Sequence, residues 1–142
     1  MLLLIMLSFT ACSQTKKMTD SGNIAQNNSD SYIILGQGGG FTGRYEFYEV
    51  RRTGVVNQII DNSDTIFYSQ LGEDVTNSIF EQLSSLSLND FQNSAPGNMN
   101  YSLKIYQRGE THAVNWSDNN NPKDDILKFY QFVYTKIKVS KQ

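Results

Sequence analysis

The chain has 142 residues, 39% of them hydrophobic, with 12 Lys and Arg against 14 Asp and Glu for a formal charge of −2. That length holds one domain of ordinary size around one core, and the absence of a basic surplus argues against a phosphate backbone, and so against nucleic acid, as the partner. Charged residues make up 18% of the chain, below the usual quarter, so the surface is polar and largely uncharged.

Residues 1–11 carry no charge and open with an unbroken apolar run from Met1 to Leu7. A bilayer-spanning helix needs about 20 apolar residues; this run is shorter and suits the hydrophobic region of a signal peptide. It shrinks to Thr10 and Ala11 before Cys12, the only cysteine. Thr10-Ala11-Cys12 resembles the lipobox of bacterial lipoproteins, with Phe9 where Leu is usual and no Lys or Arg ahead of the apolar run. The resemblance implies cleavage before Cys12, acylation of its thiol with a palmitate-type chain, and acylation of the new terminus. Two or three acyl chains anchor a protein stably in a bilayer. The competing reading makes residues 1–12 a buried strand or helix with Cys12 as a core thiol. Ser13 stands where lipoproteins of some bacteria carry an Asp that retains them in the inner membrane. The same resemblance therefore points to the outer membrane, periplasmic or surface-facing. With Cys12 acylated, no other thiol remains for a disulfide.

Residues 12–31 follow as a tether. Beyond Cys12 they hold only Met18, Ile24 and Ala25 as apolar side chains, too few to offset the entropy of ordering. As a random coil, such a segment reaches on the order of 25 Å.

Residues 32–142 read as a single domain. Residues 32–35 are β-rich and end at a glycine cluster, Gly36 to Gly43, which marks a turn or bulge. Strands follow over residues 44–51, 55–60 and 65–68, punctuated by Gly54 and by a turn holding Asp61 and Asp64. Short strands joined by tight turns imply an antiparallel meander. Val75, Ile79, Leu83 and Leu86 then recur at helical spacing, with Glu73 and Asp74 in the first turn, which predicts a helix over residues 73–86. After a break at residues 93–98, Tyr101, Leu103 and Ile105 alternate with polar residues as a half-buried strand should. Arg108 and Gly109 turn it into a partner strand with His112, Val114 and Trp116 on one face. A last helix takes its cap from Asn119 to Asn121 and Pro122 as its first residue, and carries Asp124 and Asp125 early and Lys136 and Lys138 late. The order β-β-β-β-α-β-β-α predicts an α+β fold: a mostly antiparallel sheet of about six strands with two helices on one face.

Gly38, Gly39, Gly40, Phe41, Thr42 and Gly43 satisfy G-x-G-x-x-G. A dinucleotide-binding loop must open a helix, whereas strand residues follow here; the kinase and Walker signatures are absent as well. The glycines therefore read as structural, or as a loop that meets an anion or a partner. Asp118 to Asp125 has oxygen ligands suggestive of calcium, but Lys123 stands where the loop needs Gly and Phe129 where it needs a bidentate Glu. It reads as a helix start. His112, the only histidine, excludes zinc sites built on several imidazoles; with Ser117, Asp118 and Glu110 near it in sequence, it supplies the one catalytic alternative. The alternation along residues 45–50 turns Tyr45 and Phe47 one way and Tyr48 the other. With the helices on one side, Tyr48 and Tyr106 are expected on the open side, as an aromatic surface for a glycan, a peptide or a partner strand. The competing reading makes them cross-strand pairs that stabilise the sheet.

The glycine cluster after a strand, Pro96-Gly97-Asn98-Met99 before one, and Trp116 followed by Pro122 together resemble a group of small bacterial envelope proteins. The resemblance brings no known activity, but it implies that the three signatures meet in one place at the sheet edge. The expectation is a lipid-anchored envelope protein whose α+β domain is a binding or assembly module, without metal or cofactor. Its partner surface draws on Gly38, Gly39, Gly40, Phe41, Thr42, Tyr48, Tyr106 and Trp116. The alternatives are an envelope hydrolase using His112, and an inhibitor offering the glycine loop to a protease.

Overall fold

The computed structural model describes residues 31–60, 64–88 and 95–141; the leader, Cys12, the tether up to residue 30 and Asp61 lie outside them. The described elements are β1 (Tyr32–Gly39), β2 (Arg44–Arg51), β3 (Val55–Ile59), β4 (Thr65–Gln70), α1 (Glu73–Leu83), β5 (Met99–Gln107), β6 (Glu110–Ser117) and α2 (Asp124–Val139). The six strands form one sheet in the order β4-β3-β2-β1-β5-β6, with every neighbouring pair antiparallel. The fold is α+β, as the element order predicts.

Pairing register decides which side of the sheet is buried. Ile33 lies between Val50 and Ile105, and Leu35 between Tyr48 and Leu103. Side chains directly opposite share a face, so these residues form one apolar layer. Ile79, Phe80 and Leu83 of α1 and Ile126, Phe129, Val133 and Ile137 of α2 join the same cluster, which places both helices on that face. Here β2 presents Glu46, Tyr48 and Val50 to the helices, and Tyr45, Phe47 and Glu49 to the open side.

That register overturns one expectation. Tyr48 is 2% exposed in the helix-facing layer, where Tyr68 packs on it edge-on at 4.8 Å. The open-side aromatics of β2 are Tyr45 and Phe47. Tyr106 does face the open side, stacked on Tyr32 at 4.9 Å as a cross-strand pair. Trp116, named as a surface residue, is 2% exposed and belongs to the core.

Beyond shifts of one or two residues at the ends of β3 and β4, boundaries moved in three places, each for a local reason. β1 runs on through Gly39, so Gly36 and Gly38 are strand residues and not part of the turn. A Cβ on Gly36 would lie 2.1 Å from the Phe47 ring, and one on Gly38 would lie 2.4 Å from the Tyr45 ring. The aromatic rings of β2 lie across the bare backbone of β1, a use of strand glycine that resembles aromatic rescue. α1 ends at Leu83 rather than at residue 86. The Ser84 and Ser85 hydroxyls donate to the Glu81 and Gln82 carbonyls at 2.6 and 2.7 Å, competing with helix continuation. α2 is capped at Lys123 without a side-chain cap bond, and Pro122 precedes it. Asn120 instead closes a turn onto Ser117, its N–H donating to Ser117 O at 3.0 Å.

Candidate functional site

The three sequence signatures converge at one end of the sheet. The Gly40 N–H donates to Asn98 O at 2.6 Å, and the Asp118 N–H donates to Met99 O at 3.0 Å. Asn100 closes the 97–100 turn, accepting from the Gly97 N–H at 3.0 Å and donating to Gly97 O at 3.1 Å. The β1–β2 hairpin, the segment ahead of β5 and the turn after β6 are thus tied by backbone hydrogen bonds. They meet at the end of the sheet rather than along an edge strand. The hairpin tip shrinks to residues 40–43, with Phe41 fully exposed and Thr42 beside it.

On the helix side this end opens into a cleft of about 430 Å³, within the range of small-ligand sites. Tyr101, Trp116, Tyr130 and Tyr134 wall it, and Gln37, Asp118, Asn121, Gln131 and Thr135 supply polar groups. Tyr101 stacks on Trp116 at 5.6 Å, Trp116 meets Tyr130 edge-on at 5.0 Å, and Tyr130 stacks on Tyr134 at 6.0 Å. Tyr130 is pinned by its hydroxyl, which donates to Gly36 O at 3.0 Å. Burial pushes its pKa well above the ordinary value, so it stays a neutral donor.

Beside the cleft lies a polar knot that ties α2 to β2. The Glu46 carboxylate accepts from Gln37 at 2.9 Å, Lys138 at 2.9 Å, Tyr48 at 3.1 Å and Tyr134. Lys138 also donates to the Tyr48 hydroxyl at 2.8 Å and lies over the Tyr48 and Tyr134 rings at 4.7 and 5.1 Å. Burial opposes ionisation of Glu46, but the bonds from Tyr134, Lys138 and Tyr48 outweigh it and hold its pKa below the ordinary value. Burial likewise works against the charge on Lys138, yet its bonds to Tyr48, Glu46 and Tyr134 raise its pKa. Tyr48 and Tyr134 are both pushed up to about 12, first by burial. With four donors on it, Glu46 has its acceptor sites occupied and acts as a tie rather than a general base.

The pH dependence follows from these directions. The unfolded chain takes up a proton at Glu46 near its ordinary value of 4.5, before the folded chain does, so stability falls as pH drops through that range. At the alkaline end the unfolded chain gives up its Tyr48, Tyr134 and Lys138 protons first, so stability falls again above about pH 10. Urea midpoints measured across pH should show a plateau between these limbs. Glu46→Gln should lower that plateau by about 1–2 kcal/mol, allowing for its partial exposure, and flatten the acid limb. An unchanged acid limb would show that Glu46 is not the group responsible.

The open face of the same end carries a groove of about 300 Å³ between Tyr45 and Phe47 on one wall and Asn100, Ser102 and Asn115 on the other. Tyr45 and Phe47 stack at 6.3 Å. An aromatic surface therefore exists on the open side, made of the neighbours of the residue expected there. Residues 44–51 place aromatics at both parities, and parity alone does not say which set is buried. Glu46, Tyr134 and Lys138 were missed as a group because the tie spans 92 residues. The one local signal is a lone carboxylate of the helix-facing parity inside an aromatic strand.

His112 lies at the opposite end, in a cleft of about 660 Å³ that Glu110, Arg108, Ser84 and Ser87 also line. Glu110 Oε2 is 3.6 Å from His112 Nε2, while the Ser84 hydroxyl is spent on the Glu81 carbonyl. Ser117 and Asp118 sit at the far end of β6 from His112. Asp64 closes its turn, its carbonyl accepting from the Ile60 N–H at 2.9 Å, and Asp124 and Asp125 lie in the first turn of α2. Among the described residues, no group of three His, Cys, Asp or Glu is placed to hold a metal ion. No helix among them is long and apolar enough to cross a membrane. Comparison with known proteins returns no match, either to a family model or to a curated sequence.

Proposed function

We propose that the chain is a lipid-anchored envelope protein, held by an acylated Cys12 and the tether of residues 12–31, whose α+β domain is a binding module working through the glycine end of the sheet. One observation carries the choice of end: three separate sequence signatures converge there, and an aromatic-walled cleft opens beside them. The chain enters the domain at the other end of β1. The eight residues of that strand set the two ends about 25 Å apart, so an anchored domain can hold its binding end away from the lipid. The lipobox resemblance and Ser13 support the envelope address and favour the outer membrane. A second reading, a hydrolase working through His112, is favoured by the cleft that brings His112, Glu110, Ser84 and Ser87 together.

Labelled palmitate tests the anchor. The wild-type chain should take up label and fractionate with membranes, and Cys12→Ser should do neither. Label on neither chain, with both intact in the cytoplasm, would overturn the envelope reading. Hydrolysis of envelope polymer that is abolished by His112→Ala would favour the second reading over the first.

A further inference from the structure

We infer that the helix-side cleft at the glycine end binds a neutral saccharide. The inference rests on the reading of that end as the binding end and adds the chemistry of the ligand. Four aromatic rings wall the cleft, and between them stand amides, hydroxyls and one carboxylate, Asp118. Among the described residues lining it there is no Lys, Arg or His, so a phosphate or carboxylate ligand would meet no counter-charge. A sugar ring matches this inventory: its C–H faces pack on the half-buried Tyr101 and Tyr134 rings, backed by the buried Trp116 and Tyr130, and its hydroxyl or acetamido edges both donate and accept, as Asn121 and Gln131 do. Asp118 adds a charged acceptor for hydroxyl pairs.

The floor argues against a peptide added as a strand. Tyr101 is paired with Gln37 on one side and Trp116 on the other, so the backbone groups of this floor are spent in the ladder. Recognition in the cleft must come from side chains, whereas strand addition needs a free edge. The walls are also held in place before any ligand arrives. Tyr130 is tied to Gly36 O, and Tyr134 to Glu46 and Gln37. Fixed rings cost less ordering on binding.

Trp116 is the only tryptophan in the chain and lines both this cleft and the open-face groove, so its fluorescence reports on this end of the sheet and Asp118→Asn, which lines the cleft and not the groove, assigns the signal to the cleft. The full chain is titrated with chitotriose and maltotriose, and in parallel with a neutral dipeptide amide and with inorganic phosphate. The expected result is a saturable change with at least one saccharide and with neither of the other probes. Asp118→Asn, an exposed isosteric change, should weaken that binding about tenfold or more while leaving the unfolding midpoint in place. Saturation by the dipeptide amide or phosphate alone would overturn the saccharide and keep the binding end. Silence from every probe would overturn the saccharide as well. A photo-crosslinker at Gln131 in the anchored protein then separates the two failures: a crosslinked partner retains the binding end, and no crosslink removes it.

Discussion

Gly54→Ala should lower stability by about 2–4 kcal/mol. Gly54 has φ +81, a conformation that side chains with a Cβ adopt only at a cost. The added Cβ would lie 2.7 Å from Leu71 O, 2.6 Å from Gln70 Nε2 and 2.9 Å from Thr76 Oγ1. Two of those neighbours can shift; the Leu71 carbonyl is backbone. The position also carries two hydrogen bonds: its N–H donates to Arg51 O, and its carbonyl accepts from the Leu71 N–H, each at 2.9 Å. The methyl group therefore pushes apart the β2–β3 turn and the β4–α1 junction, which the Gly54 carbonyl joins. At this domain size the melting midpoint should fall on the order of 10 °C. Gly72→Ala is the control, because Gly72 has no neighbour within 4 Å of an added Cβ and has ordinary extended geometry as the cap of α1. That change should cost about 1 kcal/mol or less, the loss of glycine's preference over alanine at an N-cap. Equal midpoints for the two variants would refute the close contact at Gly54.

Trp116→Ala should cost about 3–5 kcal/mol, a large part of the stability of a domain this size. The side chain is 2% exposed, stacked on Tyr101 and meeting Tyr130 edge-on. Truncation removes the ring's contacts and leaves a cavity between β5, β6 and α2 that the pinned Tyr130 cannot close. Trp116→Phe keeps a ring in place and should lose much less. Both are read by urea denaturation followed by circular dichroism, since the variants lack the fluorescent reporter. A loss under about 1 kcal/mol for Trp116→Ala would mean that the indole is a surface group.

The glycine cluster shows how a motif can be visible while its meaning is not. Its turn character is written in the residues, and the tip at 40–43 is a turn. That Gly36 and Gly38 are strand residues beneath aromatic rings depends on β2 pairing with β1 at one register. A slip of one residue would have brought Tyr45 and Phe47 to the core and Tyr48 to solvent, which is the arrangement expected from the sequence. The converging ends of the candidate site were legible as three separate signatures, and only backbone bonds between distant segments made them one place.

By itself, the sequence determined what depends on near neighbours. The period of two in residues 32–70 and 99–117, the period of 3.6 at Glu73 and Ile126, and the turn residues at Gly54 and Gly109 were enough for the α+β order and the antiparallel meander. Tertiary structure decided what depends on partners far along the chain. The buried face of β2, the cleft among Tyr101, Trp116, Tyr130 and Tyr134, and the tie from Glu46 to Lys138 all arise only when sheet register and the lie of α2 are set. The physical reason is that alternation and helical spacing carry a repeat but no origin. Packing the helices on one face supplies that origin.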